Sequence, residues 1–438
     1  MAYWYFELDQ VPDLSLSKYM SLDESGVEGV LKKHSSFLRQ LNRKGLLSRV
    51  FFHLLYMFNP QLPNGQKLSV ALVATGTEDA LFHTKELIQN SSISPYYNIV
   101  SCESVKLLKF EEEDNRFYLQ VINHLGFVSG RYEITASTLM KGEHLEGKTT
   151  IKIDGQDKEI ERWKVFLNTD EAKEMRYSIQ VNEDALLEVS TELYVEESGL
   201  KIDDRQYDFL STLGKREFFV QPSVILPDDN DLRYYRVSTW EMNEDARLFS
   251  MLKLMQGLKA PVTFRVDLYA SDYAMRLREV LPIQELRNRT SMKALKSSAG
   301  ITVNRDENAE ETLKYYNKLI ESYESSPHFR ANIIAMANQR DVAELIVDAA
   351  GAEALEEGSY TIKTVTSREV GKCFSVYYGL ERPIDIAQDG VINYLRFMPN
   401  LFTIDEILPF FVFPALFDGE VIEIPKETAP LFDKDGMK

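Results

Sequence analysis

The stretch that decides the fold runs His328-Phe-Arg-Ala-Asn-Ile-Ile-Ala-Met-Ala337, then Gln339-Arg-Asp-Val-Ala-Glu-Leu-Ile-Val-Asp-Ala-Ala350, then Ser359-Tyr-Thr-Ile-Lys-Thr-Val-Thr366. It reads as strand, helix, strand. Working backwards, Val262 to Ala270 alternates cleanly, with Val262, Phe264, Val266 and Leu268 facing one way and Thr263, Arg265, Asp267 and Tyr269 the other. Before it, Leu232 to Trp240 reads as a strand. Asn243 is placed to cap a helix from Glu244 to Gln256, which Gly257 would end. A third such unit lies near the N-terminus. An amphipathic helix from about Glu24 to Arg43 precedes strands at Arg49–Phe58 and Lys67–Thr75, with Asn64-Gly65 as a turn signal between them. A helix at Glu78–Gln89 and a strand at Asn98–Cys102 follow.

The pattern predicts an α+β fold of ferredoxin-like strand–helix–strand units around 49–102, 232–271 and 328–366, each with helices on one sheet face. Between the first two units, Ser104 to about Asp231 is almost all β and reads as an inserted strand-rich domain. The expected organisation is an N-terminal α+β unit (1–103), the β-rich insertion (104–231) and a strand–helix–strand unit (232–285). A mobile linker (286–311), a C-terminal α+β unit (312–414) and an extended tail (415–438) complete it. The linker expectation rests on Ser297-Ser298-Ala299-Gly300 and the charged run from Asn304 to Glu311.

The chain has 438 residues, 44% of them hydrophobic, with 24 Phe and 22 Tyr, enough apolar material for substantial cores. The formal net charge is −18. Direct gripping of nucleic acid needs a basic surface, so the charge does not support it. Cys102 and Cys373 lie far apart and in no metal-like spacing, which argues against a disulfide framework and fits a reducing compartment. The start, Met1-Ala-Tyr-Trp-Tyr-Phe-Glu7, lacks the pattern of a signal peptide, and the longest apolar run, Ile407–Leu416, is too short to span a bilayer. The expected location is the cytoplasm.

One motif carries chemistry by its spelling. Gly142-Glu-His-Leu-Glu-Gly147-Lys148-Thr149 satisfies G-x-x-x-x-G-K-[ST]. A phosphate-binding loop of that kind follows a strand and opens a helix whose N–H groups face the phosphates. Here Thr150-Ile-Lys-Ile-Asp-Gly follows, a hairpin pattern, and Glu143 and Glu146 place negative charge where polyphosphate would sit. The context argues for a hairpin-connecting loop. A nucleotide hydrolase using Gly142, Gly147, Lys148 and Thr149 is kept as an alternative. The six histidines show no metal-ligand spacing, and His34 sits on an apolar helix stripe as a packed core histidine would. No metal site and no catalytic centre are expected in these residues. The sharpest local signal is Asn400-Leu-Phe-Thr-Ile-Asp-Glu-Ile407. Thr403 and Glu406 have capping-box spacing, and Phe402 and Ile407 have staple positions.

The segment from His328 to Ile346, the run Met398-Pro-Asn-Leu-Phe-Thr-Ile-Asp-Glu-Ile-Leu-Pro-Phe-Phe-Val-Phe-Pro414 and the helix and strand at Ala246–Leu268 together resemble the non-motor region of HerA-like and conjugation-type DNA-translocating ATPases, in the FtsK/HerA superfamily. In that family the motor, with its P-loop, magnesium and arginine finger, begins soon after the Thr403–Glu406 helix, which would make that helix cap motor-proximal. The resemblance implies a non-catalytic assembly and partner-docking module. ATP and magnesium would be bound by a motor following Lys438 or supplied as a separate subunit. Implied partners are that motor, further copies in a ring, and a nuclease or membrane complex, in DNA transfer, type IV secretion or phage defence. A stand-alone intracellular scaffold or adaptor is the alternative.

Overall fold

The computed structural model describes residues 2–8, 11–12, 25–60, 67–94, 96–97, 99–102, 207–225, 233–243, 246–271, 277–299, 305–366, 374–375, 379–380 and 395–415, and the strands named below between 107 and 189. The fold is α+β. The chain divides into two compact units, one made chiefly of Phe6–Val100 and Asp208–Lys438, the other of Ala2–Tyr5 and Ser101–Tyr207.

The first unit is built on one nine-stranded sheet. Its strands are β1 (Ala2–Leu8), β2 (Phe51–Phe58), β3 (Leu68–Gly76), β4 (Ile99–Cys102), β12 (Phe209–Lys215), β16 (Val262–Ser271), β17 (His328–Ala337), β19 (Tyr360–Thr366) and β22 (Leu401–Thr403). They lie in the order β19-β12-β17-β16-β2-β3-β1-β4, and β22 also pairs with β17. The expected three units therefore contribute to one shared sheet, not three small ones. The pairings β12–β17, β17–β16, β16–β2 and β2–β3 are all antiparallel.

Helices cover both faces of this sheet, where one face was expected. Register places Phe264, Val266, Leu268 and Ala270 on one face, and there α1 (Ser25–Ser48) and α6 (Arg340–Ala354) pack close. A Cβ on Gly45 of α1 would lie 2.8 Å from Ala270 Cβ, and one on Gly351 of α6 would lie 2.5 Å from Leu213 Cδ1. Helix α2 (Glu78–Gln89) follows β3, capped by Thr77, and α3 (Phe249–Gln256) packs beside α6. The opposite face carries Ser271 and His328. There Ser271 hydrogen-bonds the Tyr323 hydroxyl of α5 (Glu307–Ser325), which pairs with α4 (Leu277–Ala299). A core of Tyr235, Ile283, Tyr316, Ile320, Phe397 and Leu401 fills that side. The hairpin β13 (Glu217–Val220) and β14 (Tyr234–Val237) joins it, and the short strands β15 (Glu241–Met242) with β18 (Leu355–Glu357), and β20 (Phe374–Ser375) with β21 (Gly379–Leu380), form separate two-stranded pairs.

Two expectations fail locally. Residues 286–299, expected as linker, are the second half of α4. Its buried Leu286, Thr290 and Ala294 recur at four-residue spacing, and this apolar stripe outweighs the small polar residues near its end. The helix expected from Glu244 begins at Phe249, with Leu248 left-handed at φ 56° and no side-chain cap of its own.

The described residues of the second unit, taken by itself, form two sheets. One is the antiparallel set β5 (Leu107–Glu113), β6 (Arg116–Ile122) and β7 (Val128–Ile134). The other has the order β10-β11-β9-β8, from β8 (Glu143–Ile153), β9 (Gln156–Val165), β10 (Tyr177–Asn182) and β11 (Ala185–Val189), with β11 and β9 parallel. This unit ends at Tyr207, short of the expected 231, because Phe209–Lys215 returns to the main sheet beside β17. The expected tail lies outside the described residues after Ala415.

Candidate functional site

The C-terminal helix signal leads to a cleft. Strand β22 pairs with the start of β17, Thr403 opposite His328 and Leu401 opposite Arg330. The chain then enters the short helix α7 (Ile404–Ile407) through a reciprocal cap. The Glu406 N–H donates to Thr403 Oγ1 at 3.2 Å, and the Thr403 N–H donates to Glu406 Oε2 at 2.8 Å. Phe402 and Ile407 are both fully buried. The second Glu406 oxygen, Oε1, accepts from Lys215 Nζ at 2.6 Å, with the two side chains 11% and 17% exposed. Lys215 ends β12, so this ion pair ties the new helix to the main sheet. Its ammonium also lies 5.0 Å from the Phe402 ring centre and 5.9 Å from that of Trp240.

A cleft of about 840 Å³ opens around this pair. Its floor and walls include Trp240, Met398, Leu401 and Pro409, with Tyr315, Lys318 and Ser322 of α5 on one side and Lys32 and Ser35 of α1 on another. The Trp240 wall is held in place by hydrogen bonds: Trp240 Nε1–H donates to the Ser359 carbonyl at 3.0 Å, and the Ser359 N–H donates to Ser238 Oγ at 3.0 Å. Gly358 sits behind it at φ +118°, where a Cβ would meet the Thr239 oxygen at 2.7 Å and Trp240 Cδ1 at 2.9 Å. Only glycine fits that backbone and that gap.

His328 also lines the cleft and is 2% exposed. Its Nδ1–H donates to the Ser326 carbonyl at 2.8 Å, and its ring meets Tyr323 edge-on at 5.0 Å. Burial pushes its pKa below the ordinary histidine value, with the Ser326 bond and Glu406 opposing and Lys215 assisting. The ring is thus the neutral Nδ1–H tautomer, with Nε2 an acceptor.

A second polar group lies inside the sheet. Asp267 Oδ1 accepts from Arg265 Nε at 2.5 Å and from His53 Nδ1 at 2.5 Å, and His53 Nε2 lies 3.0 Å from Thr75 Oγ1. The four residues are at most 4% exposed. They stitch β3, β2 and β16 together, and none of them lines the cleft. Burial lowers the His53 pKa, against the opposing pull of Asp267. The Thr–His–Asp order matches a nucleophile, base and orienter, but its burial gives substrate no approach; it works as a cross-strand clamp.

Other sequence-marked positions fall elsewhere. Gly142 lies outside the described residues. Gly147, Lys148 and Thr149 are in β8, Lys148 opposite Glu161 and Thr149 opposite Ile160, with the register slipping between Leu145 and Lys148. The backbone runs on as strand through Ile153, so the motif from Glu143 to Thr149 lies within the hairpin strand itself, not in a loop and not before a helix. His34 is 1% exposed, and its Nε2 accepts from the Phe413 N–H at 3.2 Å. Among the described residues no group of three His, Cys, Asp or Glu side chains is placed to hold a metal ion, and no helix is long and apolar enough to cross a membrane.

Of the cleft residues, Thr403 and Glu406 carried a capping signal that the structure keeps, and Asn243 one that it does not. Lys215, Trp240, Tyr315, Lys318 and His328 come from separate segments, and no local spacing links them. No model of a known protein family matches the chain, and no curated protein matches it.

Proposed function

We propose that this chain is the non-catalytic assembly and partner-docking module of a HerA-like or conjugation-type DNA-translocating ATPase, acting in the cytoplasm in DNA transfer or phage defence. The observation that carries the reading is the pairing of β17 with β22. The two segments with the sharpest resemblance, near 328–346 and 398–414, are adjacent strands of one sheet and share the cleft. A segment that leads towards a motor is thereby anchored in the core of the module through Phe402, Ile407 and the Lys215–Glu406 pair. In this reading ATP and magnesium belong to the motor, copies of the module assemble with it in a ring, and a nuclease or membrane complex docks on the outside. The position of Lys148 and Thr149 within a strand favours this over a nucleotide hydrolase built on residues 142–149.

The test is to read the gene beyond the codon for Lys438 and through the next reading frame, then to co-express what is found. A P-loop ATPase that co-elutes with this chain as a ring in light scattering supports the proposal. A neighbouring region with no such motor, or a motor that elutes separately, sinks it. Magnesium-dependent ATP binding by this chain, abolished in Lys148→Ala, would establish the hydrolase reading instead.

A further inference from the structure

We infer that α4 pairs with α4 of a second copy of this chain, in an antiparallel helix seam whose two-fold axis passes through Asn288. The inference is independent of the translocase reading, because a two-fold seam closes at two copies and neither requires nor builds a ring.

The first observation is where apolar surface is left open. Seven large apolar side chains are exposed among the described residues. Four of them, Leu47, Phe82, Ile225 and Leu345, lie singly on separate segments, which is ordinary. The other three share α4: Leu281, Met292 and Leu295 are 56%, 60% and 65% exposed. The residues of α4 that enter the core are Val280, Ile283, Leu286, Thr290 and Ala294. At about 100° per residue they centre on the side of the helix opposite Leu281, Asn288 and Leu295. Helix α4 is therefore apolar on two faces, and the core covers one of them. A surface helix that packs only on its own core needs a single apolar stripe.

The second observation is the spacing, which names the occupant. Leu281, Asn288 and Leu295 repeat every seven residues, the period of a helix seam, over about 21 Å of helix. The pattern is symmetric about Asn288. A two-fold axis there, with the helices antiparallel, sets Leu281 of each copy against Leu295 of the other. It also brings the two Asn288 side chains together. Asn288 Oδ1 accepts from Arg287 Nη2 at 3.0 Å and keeps a second lone pair, and its amide group supplies donors, so the two amides can bond each other. One Asn inside an apolar seam fixes register and partner. An unrelated partner helix would not call for a stripe that is its own complement.

Charge sets the direction. Glu285 and Arg289 pair at 2.9 Å on one flank of the stripe and are 52% and 47% exposed. In the antiparallel seam this flank meets its own copy, so each Glu285 comes alongside Arg289 of the other chain. In a parallel seam it would meet the flank of Gln284 and Ser291 instead. Antiparallel helix dipoles add to the preference. Few side chains are buried and each chain carries −18, so the dimer belongs to the weak class.

The test is sedimentation equilibrium of the whole chain in about 0.15 M salt, which screens long-range repulsion. A monomer–dimer equilibrium with a dissociation constant of about 10–300 µM is expected. Leu281→Lys and Met292→Lys should each weaken it at least about tenfold, while Phe82→Lys, an equally exposed change on α2, should leave it unchanged. Mixing Leu281→Lys with Leu295→Glu should restore association, because the antiparallel seam sets the introduced lysine against the introduced glutamate. These side chains point away from the core; if Leu281→Lys nevertheless fails to fold, Met292→Lys decides. A strict monomer at about 0.5 mM, a dimer that Met292→Lys leaves intact, or a mixture no tighter than either variant alone would overturn the proposal.

Discussion

Replacing Glu353 isolates a cap that no local sequence rule provides. Helix α3 starts after a left-handed Leu248 and has no side-chain cap from its own segment. Its first N–H groups instead meet the carboxylate of Glu353, near the end of α6: Phe249 N at 2.7 Å and Ser250 N at 2.8 Å, with Met251 N at 3.3 Å and Arg247 N at 3.4 Å. A hydrogen bond to a charged group contributes about 1.5–3 kcal/mol where water cannot replace it. Ser250 is exposed and Phe249 half-buried, so water recovers part of the loss, and the two longer bonds add little. For Glu353→Ala we expect a cost of about 2–3 kcal/mol, and for Glu353→Gln, which keeps one acceptor oxygen, about half that. Two compact units make a single global unfolding energy a poor readout, so native-state hydrogen exchange is the assay. Amides from Phe249 to Leu252 should exchange about 30- to 100-fold faster in Glu353→Ala, while Ile333 and Ile334 in β17 stay protected. Exchange at Phe249 and Ser250 within about twofold of the natural chain, or a Gln variant as fast as the Ala variant, would refute the remote cap.

Asp306 caps α5 and also accepts from Ser223 Oγ at 2.8 Å and Tyr234 Oη at 2.9 Å, so Asp306→Ala should cost about 3–4 kcal/mol in the native-state hydrogen-exchange protection of α5, and a loss under about 1 kcal/mol would show the bonds to be dispensable. Burial raises the Asp306 pKa, but the bonds from Ala309, Ser223 and Tyr234 outweigh it and hold the carboxyl below its usual 3.8. Its contribution is therefore complete above about pH 4 and fades as pH falls through the lower folded value, and Asp306→Asn should flatten that acid limb. His53 and His328 are both held below 6.5 by burial, so they contribute stability fully above that pH and lose it on acidification; exchange protection factors in β2 and β17 that do not fall between about pH 7.5 and 5.5 would contradict this. Gly351→Ala should destabilise by about 1–2 kcal/mol although alanine favours helix, because its Cβ would lie 2.5 Å from buried Leu213 Cδ1; a stabilised variant would show that Leu213 moves aside freely.

The same residues show how far the sequence could be read. The strand–helix–strand pattern of 328–366 was legible because both periods are local: β17 spans His328–Ala337 and α6 spans Arg340–Ala354. Thr403 and Glu406 were visible for the same reason, since a capping box is confined to four residues. Asn243 was misread because its role is not local. Its N–H donates to the Ala354 carbonyl at 2.9 Å and its side chain to the Glu353 carbonyl at 3.2 Å, so it holds the end of α6 instead of starting α3. The second covered sheet face was hidden for a related reason. Alternation in β16 suggested one polar side, yet Thr263, Arg265 and Asp267 are buried there, Arg265 and Asp267 in the network with His53 from β2. A polar residue reads as exposed until its partner is known, and that partner is 214 positions away.

The cleft joins the legible and illegible parts in one side chain. Glu406 has two oxygens and uses each for a different scale of structure. Oε2 closes the local cap on Thr403, a bond set by chain geometry over a single turn. Oε1 holds Lys215, 191 positions earlier, and so fixes α7 against the end of β12. The first bond orients the carboxylate, so the second is made to a group that is already placed, and less side-chain freedom is lost in forming the ion pair. With Lys215 occupied in this way, the two charges of the pair offset one another at the cleft wall. A helix start that the sequence announces plainly thus fixes, through one carboxylate, one wall of a cleft assembled from distant segments.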